Sequence, residues 1–468
     1  MTLLERNASP KVTSIITYIA LIVFLPLLIL ATYQTVSLIS RASGTPANIV
    51  VDTKATIGTV TTDFYHAYAQ GGEEANDMLA PILPELKGLK PKLIRLDHIY
   101  DHYGDVVTRS GDGSLSFNFS QLDAAVDTIL ASGAKPQFAL SFMPPAIAQG
   151  GSLINPPNNW DDWAQVVQRT IEHYSGKGEK NLTGIYYEVW NEPDLAQFGS
   201  WKYSGEKNYL TLYKYSSIGA KNAQNTNRFY LGGPSTTGLY KSWIIALINS
   251  GNRVDFLSWH SYLPDPKQFD RDQRNLISWL LPYPGYTLIP TLITEYGFTG
   301  AKDKRYGTMF AAAHTAAVIR QLIQSNPDYA FSFQPKDGPG QEDGSGWGFV
   351  THETNGKKKK PRYHVFTFLD DMAGTRLNVT GEGTWVTSFA TTRDNVIRVL
   401  LVNFDKSGSH TENVPVSFTN LTPGSYNYRE RFLLGRDATL KETVSGNSLT
   451  KQVFMSAQSV AILELTKQ

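Results

Sequence analysis

Beyond residue 48 the apolar positions follow two alternating patterns. Short runs rich in β-branched and aromatic residues predict strands. They are ATIGTV (56–61), KLIRLD (92–97), PQFALSF (136–142), GIYYEVW (184–190), RFYLG (228–232), VDFLSWH (254–260), LIPTLIT (288–294) and YAFSFQ (329–334). Between them, apolar residues recur at helical spacing over 74–87, 120–133, 160–175, 206–224, 240–250, 267–281, 303–325 and 361–372. Ser120 with Asp123 opens the second helix as a capping box, and Gly133 stops it. This succession predicts a (β/α)8 TIM barrel. An open doubly wound sheet would place a glycine-rich phosphate turn after its first strand, but residues 61–66 read TTDFYH. The glycine-rich stretch 338–348, GPGQEDGSGWG, has no Lys-Ser/Thr and reads as a long flexible loop after strand eight.

After residue 372 the helical period disappears. TWVTSFAT (384–391), NVIRVLLVN (395–403), ENVPVSFT (412–419) and QSVAILEL (458–465) predict a C-terminal antiparallel β-sandwich. NIVVD (48–52) is an extra strand that could join it. At the other end, residues 12–40 carry no charge and SIITYIALIVFLPLLILAT (14–32) is almost wholly apolar. About 20 such residues span a bilayer as a helix. A single N-terminal transmembrane helix is therefore expected, with a cleaved signal peptide as the alternative. The expected organisation is a tail and membrane anchor over 1–42, the barrel over 43–372 and an accessory β-sandwich over 373–468.

Composition narrows the classes. A net charge of +1 gives no broad basic surface, so no nucleic-acid partner is expected. The run Lys357–Lys360 reads as a solvated loop. The chain has no cysteine, which excludes disulfides and thiolate metal sites, and suits a bacterial protein working outside the cytoplasm. His98 and His102 have a metal-like spacing only if helical. They follow a strand, so no metal and no cofactor are expected. His314, in an Ala-rich helix, reads as packed core. Trp160, Trp163 and Trp201 are either core residues or sugar-stacking platforms.

The chemistry gathers at the strand ends, where such barrels carry their working residues. Strand two ends in Arg95, Asp97 and His98. Strand four ends in Asn191-Glu192, strand six in His260-Ser261-Tyr262, and strand seven in Thr294-Glu295-Tyr296-Gly297. The triplet Asn191-Glu192-Pro193 could mark a strand-to-helix joint. It could instead hold an acid at the barrel mouth opposite Glu295. Glycoside hydrolysis needs such a pair, one carboxyl protonated to serve the leaving oxygen and one ionised.

YYEVWNEPD (186–194) resembles the acid/base motif of the clan A retaining glycoside hydrolases, most of all family 39. That family includes β-xylosidases, α-L-iduronidases and bacterial exopolysaccharide endoglycosidases. LSFMP (140–144), DFLSWHSY (255–262), ITEYG (293–297) and KPRYHVFTFL (360–369) are similar to its other motifs, in order. The resemblance implies that Glu192 is the acid/base and Glu295 the nucleophile of a double displacement. It also implies that Asn191 binds the sugar 2-hydroxyl and that Arg95, His260 and Tyr262 support the site. Two departures fall where the innermost sugar would sit. Asp97-His98 replaces a common His-Gly, and Gln334 replaces a Trp at the end of strand eight, with Trp347 the candidate substitute. The expected substrate is a cell-surface or extracellular poly- or oligosaccharide. The alternatives are an exo-acting β-xylosidase-like enzyme and a catalytically weak carbohydrate-binding surface protein. The sequence leaves the oligomeric state open.

Overall fold

A computed structural model describes residues 44–468. Eight parallel strands close into a barrel: Ala67–Gln70, Leu93–Leu96, Lys135–Leu140, Ile185–Val189, Phe229–Thr236, Phe256–Tyr262, Thr291–Gly297 and Tyr329–Phe333. The eighth pairs back onto the first, with Phe331 beside Ala67. The helices Ser120–Ser132, Trp160–Ser175, Tyr209–Asn222, Lys241–Ile248, Lys267–Leu280 and Pro361–Leu369 match the periodic segments within a few residues, while the segment expected from 303 starts only at Met309, in Met309–Ser325, after a 3-10 turn at Lys304–Gly307. The apolar span at 14–32, expected to cross a membrane, lies outside the described residues. Among the described residues, no helix is long and apolar enough to do so.

The first barrel strand is not the expected one. Residues 56–60 belong to a long strand, Ile49–Val60, which runs antiparallel to Gly374–Thr380. Most of its second half is exposed, whereas all four residues of Ala67–Gln70 are buried. A barrel strand is covered on both faces, so the exposed segment cannot serve. The true strand, AYAQ, is too short and small to give an apolar run. The expected helix 74–87 also contracts, to Leu83–Gly88 after a single 3-10 turn at Ala80–Ile82. Pro81 and Pro84 have no backbone N–H to give, so both lie in first turns.

The C-terminal part is β-rich as expected, but its pairing is not wholly antiparallel. Its strands hydrogen-bond into one nine-stranded sheet, into which Ile49–Val60 is inserted. Residues Ile49–Asp52 pair in parallel with Val416–Thr419, so the sheet is mixed. That pairing joins segments separated in the chain by the whole barrel, so no hairpin forces it to be antiparallel. Ile49, Val51, Leu377, Leu401, Val416 and Leu463 share one apolar core. The sheet is tied to the barrel by Arg320 of Met309–Ser325, which donates to both oxygens of Glu382 at 2.7 Å.

Arg362, at the start of the last barrel helix, fastens the ends of strands seven and eight. It is buried and donates to the carbonyl oxygens of Phe333 and Tyr296 and to the hydroxyls of Ser332 and Thr315. The aromatic rings of Phe349, Tyr306 and Tyr296 flank its charge.

Candidate active site

Arg95 points inward from strand two and is 1 % exposed. Its Nε donates to Glu188 at 2.7 Å, Nη1 to Glu295 at 2.9 Å, and Nη2 to the Asn191 amide oxygen at 2.8 Å. Thr294 donates to the other oxygen of Glu188 at 2.7 Å. Burial pushes the Glu188 carboxyl up, but Arg95 and His260 outweigh it and hold the group below the usual range. One guanidinium thus fixes residues from strands four and seven at once, in the fork geometry a Lys could not reproduce.

Strand four does not run into a helix. Trp190 has φ +74° and Glu192 φ +43°, both in the left-handed region that L-residues avoid. Each such residue costs on the order of 1–3 kcal/mol. The surroundings hold them there. The Trp190 indole N–H donates to the Phe198 carbonyl at 2.9 Å, and its ring packs against Phe142, Trp163 and Trp201. Glu192 N–H donates to the Ser235 carbonyl at 3.0 Å. The twist sends Asn191 down to Arg95 and leaves Glu192 at the mouth. Trp163 and Trp201 are fully buried core, and Trp160 packs on Tyr215. His314 is core as well, donating to the Leu263 carbonyl, with burial driving its pKa down to about 3.

His260 sits between the two glutamates. Its Nδ1 is 2.9 Å from Glu192 and 3.5 Å from Glu295, and Nε2 is 3.1 Å from the Ser235 hydroxyl. Tyr262 donates its hydroxyl to Glu295 at 2.6 Å. Burial, then the Glu295 charge, push the Tyr262 phenol well above its ordinary pKa, so it remains a donor. Burial pulls His260 down, but Glu295 and Glu192 more than reverse this. Burial pushes Glu295 up. His260 and Arg95 oppose that, Glu192 and Asp97 add to it, and the carboxyl ends above its ordinary range. Glu192 and Glu295 each bring one oxygen within 4.8 Å of the other.

These groups open into a cavity of about 490 Å³ whose walls include Asp97, His98, Glu73, Phe198, Phe333 and Trp347. Asp97, His98 and Trp347 thus line this cavity. Gln334 does not line it. It is fully buried, accepts from Gln70 at 2.9 Å and from Gly71 N–H at 3.2 Å, and donates to Glu73. His98 has φ +54°, in the left-handed region that favours glycine. His102 N–H donates to the His98 carbonyl at 3.1 Å, so one helical turn does form in this loop. It stacks the two imidazoles face to face at 4.1 Å, and His98 Nδ1 lies 2.8 Å from Asp101. A Cβ on Gly72 would meet both rings at 2.6 Å, so only glycine lets the loop after strand one approach them.

The glycine-rich segment after strand eight is tied at both of its ends. Lys336 is fully buried between Glu74 and Glu353. Asp337 pairs with Lys360 and accepts from Gly348 N–H at 2.7 Å. A Cβ on Gly348 would lie 2.2 Å from the Asp337 nitrogen. Lys360, expected in a solvated run, is therefore buried, while Lys357, Lys358 and Lys359 are exposed as expected. Sequence reasoning also missed Glu188, Ser235 and Glu73. Glu188 had a signal, since an acid inside an aromatic strand needs a buried cation, and Arg95 lies two strands away. Ser235 and Glu73 had none.

An eight-stranded parallel barrel with two facing carboxylates at its rim defines a class, the barrel glycosidases. Comparison with known proteins makes it specific. A family described as Glycosyl hydrolases family 39 matches residues 84–275. A β-xylosidase of Caldicellulosiruptor saccharolyticus is 28% identical over 70% of this chain and 72% of its own length. A β-xylosidase of Geobacillus stearothermophilus is 26% identical over 58% of this chain and 60% of its own. The crystal structure of the GH39 enzyme from Xanthomonas axonopodis pv. citri superposes with a TM-score of 0.70 at 18% identity, over 91% of this chain and 98% of that one. The chain is thus similar to glycoside hydrolase family 39, and it is a glycosidase.

The Arg95 network generates a prediction. Glu188→Gln keeps the shape but removes a buried counter-charge, and breaking such a pair costs about 3–5 kcal/mol. Urea unfolding should show a loss of that order. A loss below about 1 kcal/mol would mean that Arg95 does not depend on Glu188.

Proposed function

We propose that the enzyme cleaves O-glycosidic bonds with retention, using Glu192 as acid/base and Glu295 as nucleophile. The observation that carries this reading is the placement of the two carboxylates. Their nearest oxygens lie within 4.8 Å, with His260 in contact with both. Retaining pairs stand about 5–5.5 Å apart, whereas inverting pairs leave about 6.5–9.5 Å for a water. The donors divide the roles. Glu295 receives Arg95 and Tyr262, which favour its ionised form and aim it, while Glu192 faces the cavity without an arginine.

In the first step Glu295 attacks the anomeric carbon as the glycosidic C–O bond breaks, and Glu192 gives its proton to the leaving oxygen. In the second, Glu192 takes a proton from water, whose oxygen displaces Glu295 from the same carbon. Arg95 occupies the Asn191 amide oxygen, leaving the amide NH₂ to donate to the 2-hydroxyl. The substrate of this reading is a poly- or oligosaccharide at or beyond the cell surface. The β-xylosidase relatives favour a second reading, exo-acting release of xylose. Release of xylose one unit at a time from xylo-oligosaccharides, with no activity on longer polysaccharides, would select it.

Three outcomes are expected. An NMR time course should show the sugar first released in its original anomeric configuration. Glu192→Ala with azide should give a glycosyl azide of retained configuration, and Glu295→Ala one of inverted configuration. An inverted product from the unmutated enzyme would overturn the assignment. Secondly, Glu295 must be ionised to attack, and its pKa is raised, so the acid limb of kcat/KM should lie above the ordinary carboxyl value. Activity is present above that pKa and lost as pH falls through it. Tyr262→Phe removes a donor to the carboxylate, worth about 1.5–3 kcal/mol. The acid limb should move to higher pH by about one unit or more, and a limb that stays in place or moves down contradicts the role. Thirdly, we propose from residues 14–32 that the chain is anchored by its N-terminus with the barrel outside the cytoplasm. Protease added to intact cells should digest the barrel, and protection until lysis would refute this.

A further inference from the structure

We infer that Asp97 selects the sugar of the innermost subsite, requiring hydroxyl donors and turning away uronic acids. This rests on the glycosidase reading of the same cavity and deepens it. Along strand two, Arg95 and Asp97 share a face, so both point into the barrel mouth. Asp97 is 6 % exposed and lines the cavity, yet its Oδ1 is buried with no hydrogen-bond partner among the described residues. Its neighbours are committed elsewhere. Arg95 serves Glu188, Glu295 and Asn191, and His98 Nδ1 is held by Asp101. Glu73, the other carboxylate on that side, already accepts from Gln334 and from Gly338 N–H.

A buried carboxylate oxygen without a donor is costly. It is tolerated where a ligand supplies the donor, and a carboxylate can only accept. A sugar hydroxyl suits it, since an O–H donated from the cavity side meets a carboxylate that no protein group has claimed. The field of the cavity points the same way. Glu73, Asp97, Glu192 and Glu295 line it, and among the described residues His98 is the one basic lining side chain, Arg95 and His260 being engaged with Glu188, Glu192 and Glu295 beneath it. Lys302 packs over the Trp347 ring at 5.7 Å and is not among the lining residues. A uronic acid would bring a further carboxylate against this acidic wall.

The test uses dinitrophenyl glycosides of neutral pentoses and hexoses and of matched uronic acids, in both anomers. Deoxy analogues of the best sugar, each lacking one hydroxyl, complete the set. The unmutated enzyme should turn over a neutral sugar and leave its uronide intact. Asp97→Asn should lose about 100-fold in kcat/KM on the neutral sugar, the scale of one lost charge-assisted bond. On the deoxy analogue that lacks the partner hydroxyl, enzyme and variant should converge. The thermal midpoint of the variant should not fall, because the change breaks no hydrogen bond or salt bridge of Asp97 within the described residues. Preference of the unmutated enzyme for a uronide overturns the inference. So does an equal loss on every sugar together with a lowered midpoint, which would make Asp97 a structural residue. An unmutated enzyme that releases no phenol from any member overturns the hydrolase reading itself, and this inference with it.

Discussion

Everything at the barrel mouth depends on the charge of Arg95 being buried where water cannot reach it. A guanidinium in that position needs acceptors on all three of its nitrogens, and the fold supplies them with Glu188, Glu295, Asn191 and the Ser235 hydroxyl. Those partners come from strands four, five and seven, so the cation aligns three strand ends that the barrel ladder alone would leave free to shift. The requirement is severe because a buried charge that loses one partner is worse than no charge at all. The same network carries Glu295, so the group facing Glu192 is held in place by a structural requirement rather than by its own side-chain packing.

The strained backbone at Trp190 and Glu192 follows from that alignment. If strand four continued straight, alternation would put Asn191 and Glu192 on opposite faces of the strand, and only one could face the mouth. The left-handed turns at Trp190 and Glu192 break the alternation. The packing that holds them is aromatic, with the Trp190 ring against Phe142, Trp163 and Trp201. This gives the tryptophans a purpose within the core and explains why none of these three stands in the cavity as a sugar platform.

Much of this was legible in the sequence, and the exceptions have physical causes. Seven barrel strands and the rim residues Arg95, Asn191, Glu192, His260, Tyr262 and Glu295 could be read because long apolar runs end abruptly in polar residues. The first strand could not, because Ala67–Gln70 has four residues, two of them alanine, and nearby Ile49–Val60 offered a stronger apolar pattern. That longer strand gives its apolar face to the C-terminal sheet. Propensity does not say which sheet a strand joins; the pairing partners do. The loop after strand eight misled for a related reason. Its glycines suggest freedom, but Gly348 is there to let a backbone approach Asp337, and ion pairs made by Lys336 and Lys360 with Glu74, Glu353 and Asp337 tie the loop at its ends. Close approach and freedom look alike in a sequence.

The mouth therefore divides into two parts with different tolerance for change. On the side of strands four, six and seven, each polar group is shared among several others, so a substitution propagates through Arg95 or His260. On the side of strands one, two and eight, the contacts are more local. Gln334 clamps Glu73 to its own loop, and Asp97 faces the cavity with an oxygen unpartnered. Departures from the common family pattern fall on this second side, at Asp97, His98 and Gln334. That is where a residue can change without removing a partner from the buried cation. A barrel built this way can keep the geometry around Glu192 and Glu295 while the wall opposite is refitted to a different sugar.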